Sequence, residues 1–204
     1  MTLSRPKPRA ILISGPPASG KDTLTRALGC IDPAYRMANK HKDSRAGSTH
    51  HIIVTPAAFD AMLEQGAFLQ WHERYGRRYG LACRTVEDIL AEGGFPIIHT
   101  GRLANLRMLQ SVMPDAVSVL LQAPLNVLTG RLSQRHAGNA VEIAARLDAA
   151  ETEIAETRDC TDDFDIVFHN DGDDGDAAAR ALHQAILAHL RQVDGADLPR
   201  PSEP

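Results

Sequence analysis

Ala10-Ile-Leu-Ile-Ser14, running on into Gly15-Pro-Pro-Ala-Ser-Gly20-Lys21-Asp22-Thr23, is the stretch that decides how this chain is read. Its first half is a short apolar run stopped by Gly-Pro-Pro, the pattern of a buried strand closed by a turn. Helix formers follow from Asp22, with Leu24 and Leu28 on one helical face. Strand, glycine-bearing turn, lysine and helix in that order spell a phosphate-binding loop. In such a loop successive backbone N–H groups form an anion-binding concavity, and the helix N-terminus adds about half a unit of positive charge. Gly20 lets the backbone approach closely, and Lys21 can follow charge as a phosphoryl group moves.

Working outward, further apolar runs at Pro96–His99, Ala116–Leu121 and Asp165–Phe168 read as buried strands. Helical patterns lie at Thr85–Glu92, Arg102–Val112, Leu125–Arg135, Ala140–Glu156 and Asp176–Val193. Strands alternating with helices predict an α/β fold, three layers around a parallel central sheet. The stretch from Tyr35 to Gly80 breaks that alternation. It offers a polar, basic segment, a strand at His51–Val54, a helix at Pro56–Gln65 and a strand at Phe68–Trp71, which together suggest an inserted α+β lobe. The expected organisation is one domain over residues 1–194, with core 9–34 and 81–194, lobe 35–80, and a lid at about 132–146. Residues 195–204 read as a disordered tail.

Composition narrows the function. Of 204 residues 24% are charged, and the net charge of −4 leaves no global basic surface for nucleic acid. No run approaches the roughly 18 apolar residues of a membrane helix, and Cys30, Cys83 and Cys160 form no close pair. A cytoplasmic protein with reduced thiols, monomer or homodimer, is expected. Nine histidines show no zinc-ligand spacing.

The loop residues Gly15, Pro16, Pro17, Ala18, Ser19, Gly20, Lys21, Asp22 and Thr23 are expected to hold ATP. The hydroxyl residue that usually follows the lysine and holds Mg²⁺ is Asp22 here, with Thr23 one place later. Asp22 has three candidate roles: holding Mg²⁺ through water, orienting the attacking oxygen, or supplying negative charge to the helix start. The first is preferred, with Thr23 as a further metal ligand. Arg131 and Arg135 are one helical turn apart and are expected to project from one face. Arginines stabilise the negative charge spread over the equatorial oxygens in phosphoryl transfer.

With lobe and lid in view, the chain resembles the guanylate kinase-like branch of nucleoside-monophosphate kinases. The likeness covers roughly residues 10–172. It rests on the loop, Phe68-Leu-Gln-Trp71 with Tyr79-Gly80, Val86-Glu-Asp-Ile-Leu-Ala-Glu-Gly93, Pro114-Asp-Ala-Val, and Arg131, Arg135 and Arg146. The resemblance implies a P-loop NTPase fold, ATP and Mg²⁺ as cofactors, and an acceptor held by the lobe under an arginine-bearing lid. Lys21, Asp22, Arg131, Arg135 and Arg146 are then the catalytic candidates. The acceptor-binding candidates are Lys42, Arg45, His51, Gln70, Tyr79, His99 and Arg102. The guanine-reading positions depart from that pattern: a glutamate is replaced by Gln70, and an acidic residue by His99-Thr100-Gly101-Arg102. A site lacking the carboxylates that accept guanine's N1–H and 2-amino donors loses heavily.

Other segments are similar to the ribose 1,5-bisphosphate phosphokinases of phosphonate catabolism: Gly20-Lys21-Asp22, Gly47-Ser48-Thr49-His50-His51-Ile52, Trp71-His72, Gly101-Arg102, and Gly138 to Leu147. The favoured expectation is therefore transfer of the ATP γ-phosphoryl group to ribose 1,5-bisphosphate, giving 5-phosphoribosyl 1-diphosphate. The first alternative is a kinase of GMP or another nucleoside monophosphate. The second is a non-catalytic guanylate kinase-like binding module, against which the intact Gly20-Lys21 stands.

Overall fold

The computed structural model describes residues 10–44, 51–74 and 76–195. Its central sheet has five parallel strands in the order β2 (Tyr35–Met37), β7 (Phe95–Gly101), β1 (Ile11–Ser14), β8 (Val117–Gln122) and β9 (Ile166–His169). Strand β1 lies in the middle, all four of its residues buried, because both its edges and both its faces are covered. Its side chains alternate: Leu12 joins Ile98, Leu120 and the helix residues Val86, Leu106 and Leu109 on one face. Ile11 and Ile13 join Leu24, Leu28, Leu182 and Ile186 on the other. Helices α3 (Cys83–Ala91) and α4 (Leu103–Val112) thus cover one face, while α1 (Lys21–Ile31) and α7 (Gly175–Gly195) cover the other. This is the expected three-layer α/β fold.

The second sheet has four strands in the order β4 (His51–Val54), β3 (Lys40–Asp43), β6 (Arg77–Ala82) and β5 (Phe68–Arg74), with α2 (Pro56–Glu64) beside them. Thr55 caps α2 by accepting from the Ala58 N–H at 3.2 Å, and Pro56 sits at its first turn, where a missing N–H costs nothing. The lobe's small core stacks Phe59 on Phe68 with ring centroids 4.7 Å apart. Helices α5 (Leu125–Arg135) and α6 (Ala140–Arg158) pack together and carry the stretch expected to form a lid; Asn139 caps α6 by accepting from the Glu142 N–H.

The lobe boundary at residue 35 needs correcting. Tyr35–Met37 is an edge strand of the central sheet, pairing Tyr35 with Phe95 and Met37 with Ile97. The lobe therefore begins at Lys40, and its last strand runs on to Ala82 rather than ending at Gly80. Gly195 ends α7, so the expected tail starts one residue later, outside the described residues. Trp71, on β5, is 48% exposed.

Gly80 sets how closely β6 approaches β5. A Cβ there would lie 2.4 Å from Phe68 Cε1, and the ring cannot yield because Phe59 backs it. Overpacking of this kind costs about 1–3 kcal/mol. Urea unfolding of Gly80→Ala should show a loss in that range, and an unchanged midpoint would contradict this packing.

Candidate active site

At the carboxyl end of β1 the chain turns through Gly15, whose φ is +140°, and Ala18 and Gly20, at +64° and +98°. A Cβ on Gly15 would lie 2.5 Å from the Leu121 carbonyl oxygen, and one on Gly20 2.3 Å from Asn170 Nδ2, so both positions require glycine. Two side chains from elsewhere brace the loop. Asn170, buried at the end of β9, donates from Nδ2 to the Ser19 carbonyl at 2.8 Å. Arg131 donates to the carbonyls of Ala18 (3.3 Å), Asn170 (3.0 Å) and Gly172 (2.6 Å).

Lys21 occupies the first turn of α1 and folds back over the loop. Its Nζ donates to the carbonyls of Gly15 at 2.5 Å and Pro16 at 2.8 Å. Burial lowers its pKa from 10.5 to about 8, and the Arg74 and Arg135 cations push the same way against Glu153 and Asp22. The carboxylate of Asp22 is 42% exposed and stands 3.6 Å from His99 Nδ1. His99 Nε2 in turn meets Thr25 Oγ1 at 2.8 Å, tying β7 to α1.

The loop opens into a cavity of about 880 Å³ that reaches the lobe. Pro17, Ala18, Gly20, Lys21 and Asp22 line one end, with Arg135 and Arg146 from the lid side. Lys40, Lys42, His51, His72 and Tyr79 line the other, while His99, Arg102 and Asn105 flank it. Tyr79 sits among its neighbours, stacked on His72 at 5.5 Å, edge-on to His51 at 5.2 Å, with Lys42 Nζ 5.6 Å from its ring centre. Arg74 and Glu153 meet across the cavity, Nη2 to Oε1, at 2.7 Å, joining the lobe to α6. A smaller cavity of about 270 Å³ adjoins it, sharing Asp22, Met37 and His99.

Several expected site residues are placed elsewhere than the sequence suggests. Arg131 does not line the cavity with Arg135; its guanidinium is turned to the loop carbonyls, where it positions rather than meets a reacting group. Thr23 is exposed and faces Gly175, whose added Cβ would lie 3.0 Å from Thr23 Cγ2, so it is not beside the cavity as a metal ligand. Gln70 is buried behind the lining, its amide held by Asn105, His72 and Lys40. His99 stands on the phosphate-loop side of the acceptor end. Arg45 lies outside the described residues. Lys40, Arg74, Asn105 and Glu153 were not among the expected site residues: they come from two strands and two helices distant in sequence, and only the fold brings them to one cavity.

The guanylate kinase family model matches residues 7–189. The chain belongs to the guanylate kinase family. It is 33% identical over 178 residues to the guanylate kinase of Mycobacterium sp. (strain MCS), covering 83% of this chain and 87% of that one. It is also 33% identical over 190 residues to a ribose 1,5-bisphosphate phosphokinase of Pantoea vagans (strain C9-1), covering 91% and 96%. A solved guanylate kinase from Anaplasma phagocytophilum superposes with a TM-score of 0.63 at 18% identity, over 88% of this chain and 85% of that one; this likeness speaks to the fold. The chain is thus a kinase by family, with the P-loop kinase fold expected from its sequence. None of the described helices is long and apolar enough to cross a membrane.

The lowered pKa of Lys21 gives a proton-linkage signature. A phosphate group beside Nζ raises its proton affinity again. Above about pH 8 the free protein has lost a proton that a phosphate beside Nζ would restore, so binding of a nucleotide would take protons up at that pH and not near pH 6. Calorimetric titration of an ATP analogue at pH 8.5, in buffers of different ionisation enthalpy, should show fractional uptake. No uptake at that pH would contradict the lysine's placement.

Proposed function

We propose that the chain transfers the γ-phosphoryl group of ATP, with Mg²⁺, to a phosphate oxygen of a small phosphorylated acceptor. The observation that carries this reading is the single cavity with the phosphate loop at one end and the cationic lobe wall at the other. Loop amides and Lys21 would hold the triphosphate, and Lys42, Tyr79 and His51 would hold the acceptor phosphate. The acceptor oxygen then bonds to the γ-phosphorus as the bond to the β–γ bridging oxygen breaks, and ADP leaves. Arg135 and Arg146 face the same space, where charge spreads in the transition state.

The donor set fits Mg²⁺. One half-exposed carboxylate, Asp22, stands at the loop's edge, and this ion is commonly held by one carboxylate, phosphate oxygens and several waters. Among the described residues no cluster of three metal-ligating side chains occurs, so an all-protein cage is not the arrangement proposed. Bound Mg²⁺ would neutralise charge on the β- and γ-oxygens. Asp22 would hold it through water, and His99, close to that carboxylate, would keep it in place.

For the acceptor, the sequence reading prefers ribose 1,5-bisphosphate, but relatives named guanylate kinase predominate. They favour the alternative, a nucleoside-monophosphate kinase with GMP as the first acceptor to test. One observation keeps the bisphosphate as a second reading. Gln70 and His99-Thr100-Gly101-Arg102 bring no carboxylate to the positions where the resemblance puts guanine readers. ADP release with Mg-ATP and each acceptor separates them. Turnover with GMP and none with the bisphosphate supports the first reading, the reverse supports the second, and turnover with neither refutes both acceptor assignments.

Two arginine variants test the roles. Arg135→Ala should lower kcat at saturating ATP by tenfold or more, about 1.4 kcal/mol or above, because its charge acts in the transfer. Arg131→Ala should chiefly weaken ATP binding, because it positions the loop. Steady-state kinetics giving the same kcat-to-KM pattern for both would contradict the division.

A further inference from the structure

Lys40 lies on β3 with 8% of its surface exposed, and it lines the acceptor end of the cavity. Among the described residues it has no carboxylate partner; its one hydrogen bond is a long one, 3.4 Å from Nζ to Gln70 Oε1. Burying an ammonium without a counter-charge is unfavourable. Burial, followed by the Arg74 charge, lowers its pKa from 10.5 to about 8. The group is therefore held at a cost that an anion beside it would remove.

The neighbours extend this polarity. An ammonium only donates, so Gln70 must turn its carbonyl oxygen to Lys40 and its amide nitrogen the other way. There Nε2 donates to Asn105 Oδ1 at 2.9 Å and meets His72 Nδ1 at 3.0 Å. Asn105 is fixed in turn by donating to the Thr100 carbonyl at 3.0 Å. His72 accepts at Nδ1, so its proton sits on Nε2. Burial, then Lys40, Arg74, Arg102 and His51, lower its pKa to about 4, so it stays neutral at pH 7. Beside this network the Thr100 hydroxyl is buried, lines the cavity and has no hydrogen-bond partner among the described residues. The side-chain oxygens of Gln70 and Asn105 each take a hydrogen bond within the network. What the wall offers a ligand is chiefly cations and donors, with the Thr100 hydroxyl able to donate or accept.

We infer that Lys40 is the specificity-determining residue of the acceptor site, selecting an acceptor that carries a second anionic group distal to the phosphate that is phosphorylated. The substrate class is a small bis-anionic compound such as a sugar bisphosphate. A base that presents N–H donors at this wall would face donors, leaving both sets unpaired. Of the carboxylates lining the cavity, Glu73 is exposed and Glu153 is paired with Arg74, and among the described residues neither they nor Asp22 and Asp148 bond to Lys40. The inference rests on the proposed assignment of this cavity to the acceptor, and it narrows which acceptor fits.

The test is equilibrium binding by calorimetry, which needs no turnover. Ribose 1,5-bisphosphate, ribose 5-phosphate and GMP are titrated into wild type, Lys40→Met and Lys40→Arg, with thermal melts to establish folding. Wild type should bind the bisphosphate at least tenfold more tightly than the monophosphate. Lys40→Met should close that gap while leaving the affinity for ribose 5-phosphate within about twofold, and Lys40→Arg should keep at least part of the gap. A gap that is equal in wild type and Lys40→Met overturns the inference, as does a wild type that binds GMP more tightly than the bisphosphate or binds neither sugar. Tight, Lys40-dependent binding without ADP release in a parallel assay would sustain the inference while sinking the kinase reading.

Discussion

The structure depends on the abrupt end of one strand. Because β1 is paired on both edges and packed on both faces, its direction is fixed, and so is the point at which its last carbonyl gives way to the glycine-bearing loop and the start of α1. The loop cannot relax inward, since Leu121 and Asn170 occupy the space that side chains on Gly15 and Gly20 would need. Arg131 and the Asn170 amide then take up the carbonyls on its far side. With these carbonyls engaged, the N–H groups of the first turn of α1, which have no partner within the helix, stand beside the cavity lined by Gly20, Lys21 and Asp22. An anion is the natural complement of that surface.

Opposite the loop, the lobe contributes a wall whose charge is of the same sign. Lys40, Lys42 and Arg74 on one side and Lys21, Arg135 and Arg146 on the other surround the same space. Such crowding of cations disfavours the empty state: burial and neighbouring cations together depress the proton affinities of Lys21 and Lys40. Two anionic ligands meeting in the middle would relieve it. The Arg74–Glu153 pair, spanning lobe and α6, holds the two walls at a distance that leaves this room.

How much of this was legible in the sequence follows from how local each feature is. Strands β1, β7, β8 and β9 were readable because buried parallel strands are continuous apolar runs bounded by turn residues. Strands β2 and β3 were not. Tyr35-Arg-Met37 is too short to show a period, and Lys40-His-Lys-Asp43 carries charges where a strand is expected to be apolar. Its side chains serve a cavity, and only pairing with β4 and β6 makes it a strand. The strand, turn and helix around Lys21 were legible because they are written in a few consecutive residues, although Thr23 faces Gly175 and not the cavity. The lobe end of the cavity is assembled from β3, β5, β6 and α4, so Asn105 and Arg74 gave no sign. Helical spacing placed Arg131 beside Arg135, but spacing cannot tell that carbonyls of two loops would capture one guanidinium and leave the other.

In the proposed reaction a nucleotide's phosphates would lie against the backbone N–H groups between Ala18 and Asp22, since Pro16 and Pro17 have none. The most direct measurement is the amide ¹⁵N–¹H spectrum during titration with Mg²⁺ and a non-hydrolysable ATP analogue. The account expects the largest shifts, downfield in the proton dimension, at Ser19, Gly20, Lys21 and Asp22. Saturable binding that moved resonances elsewhere and left those four in place would contradict it.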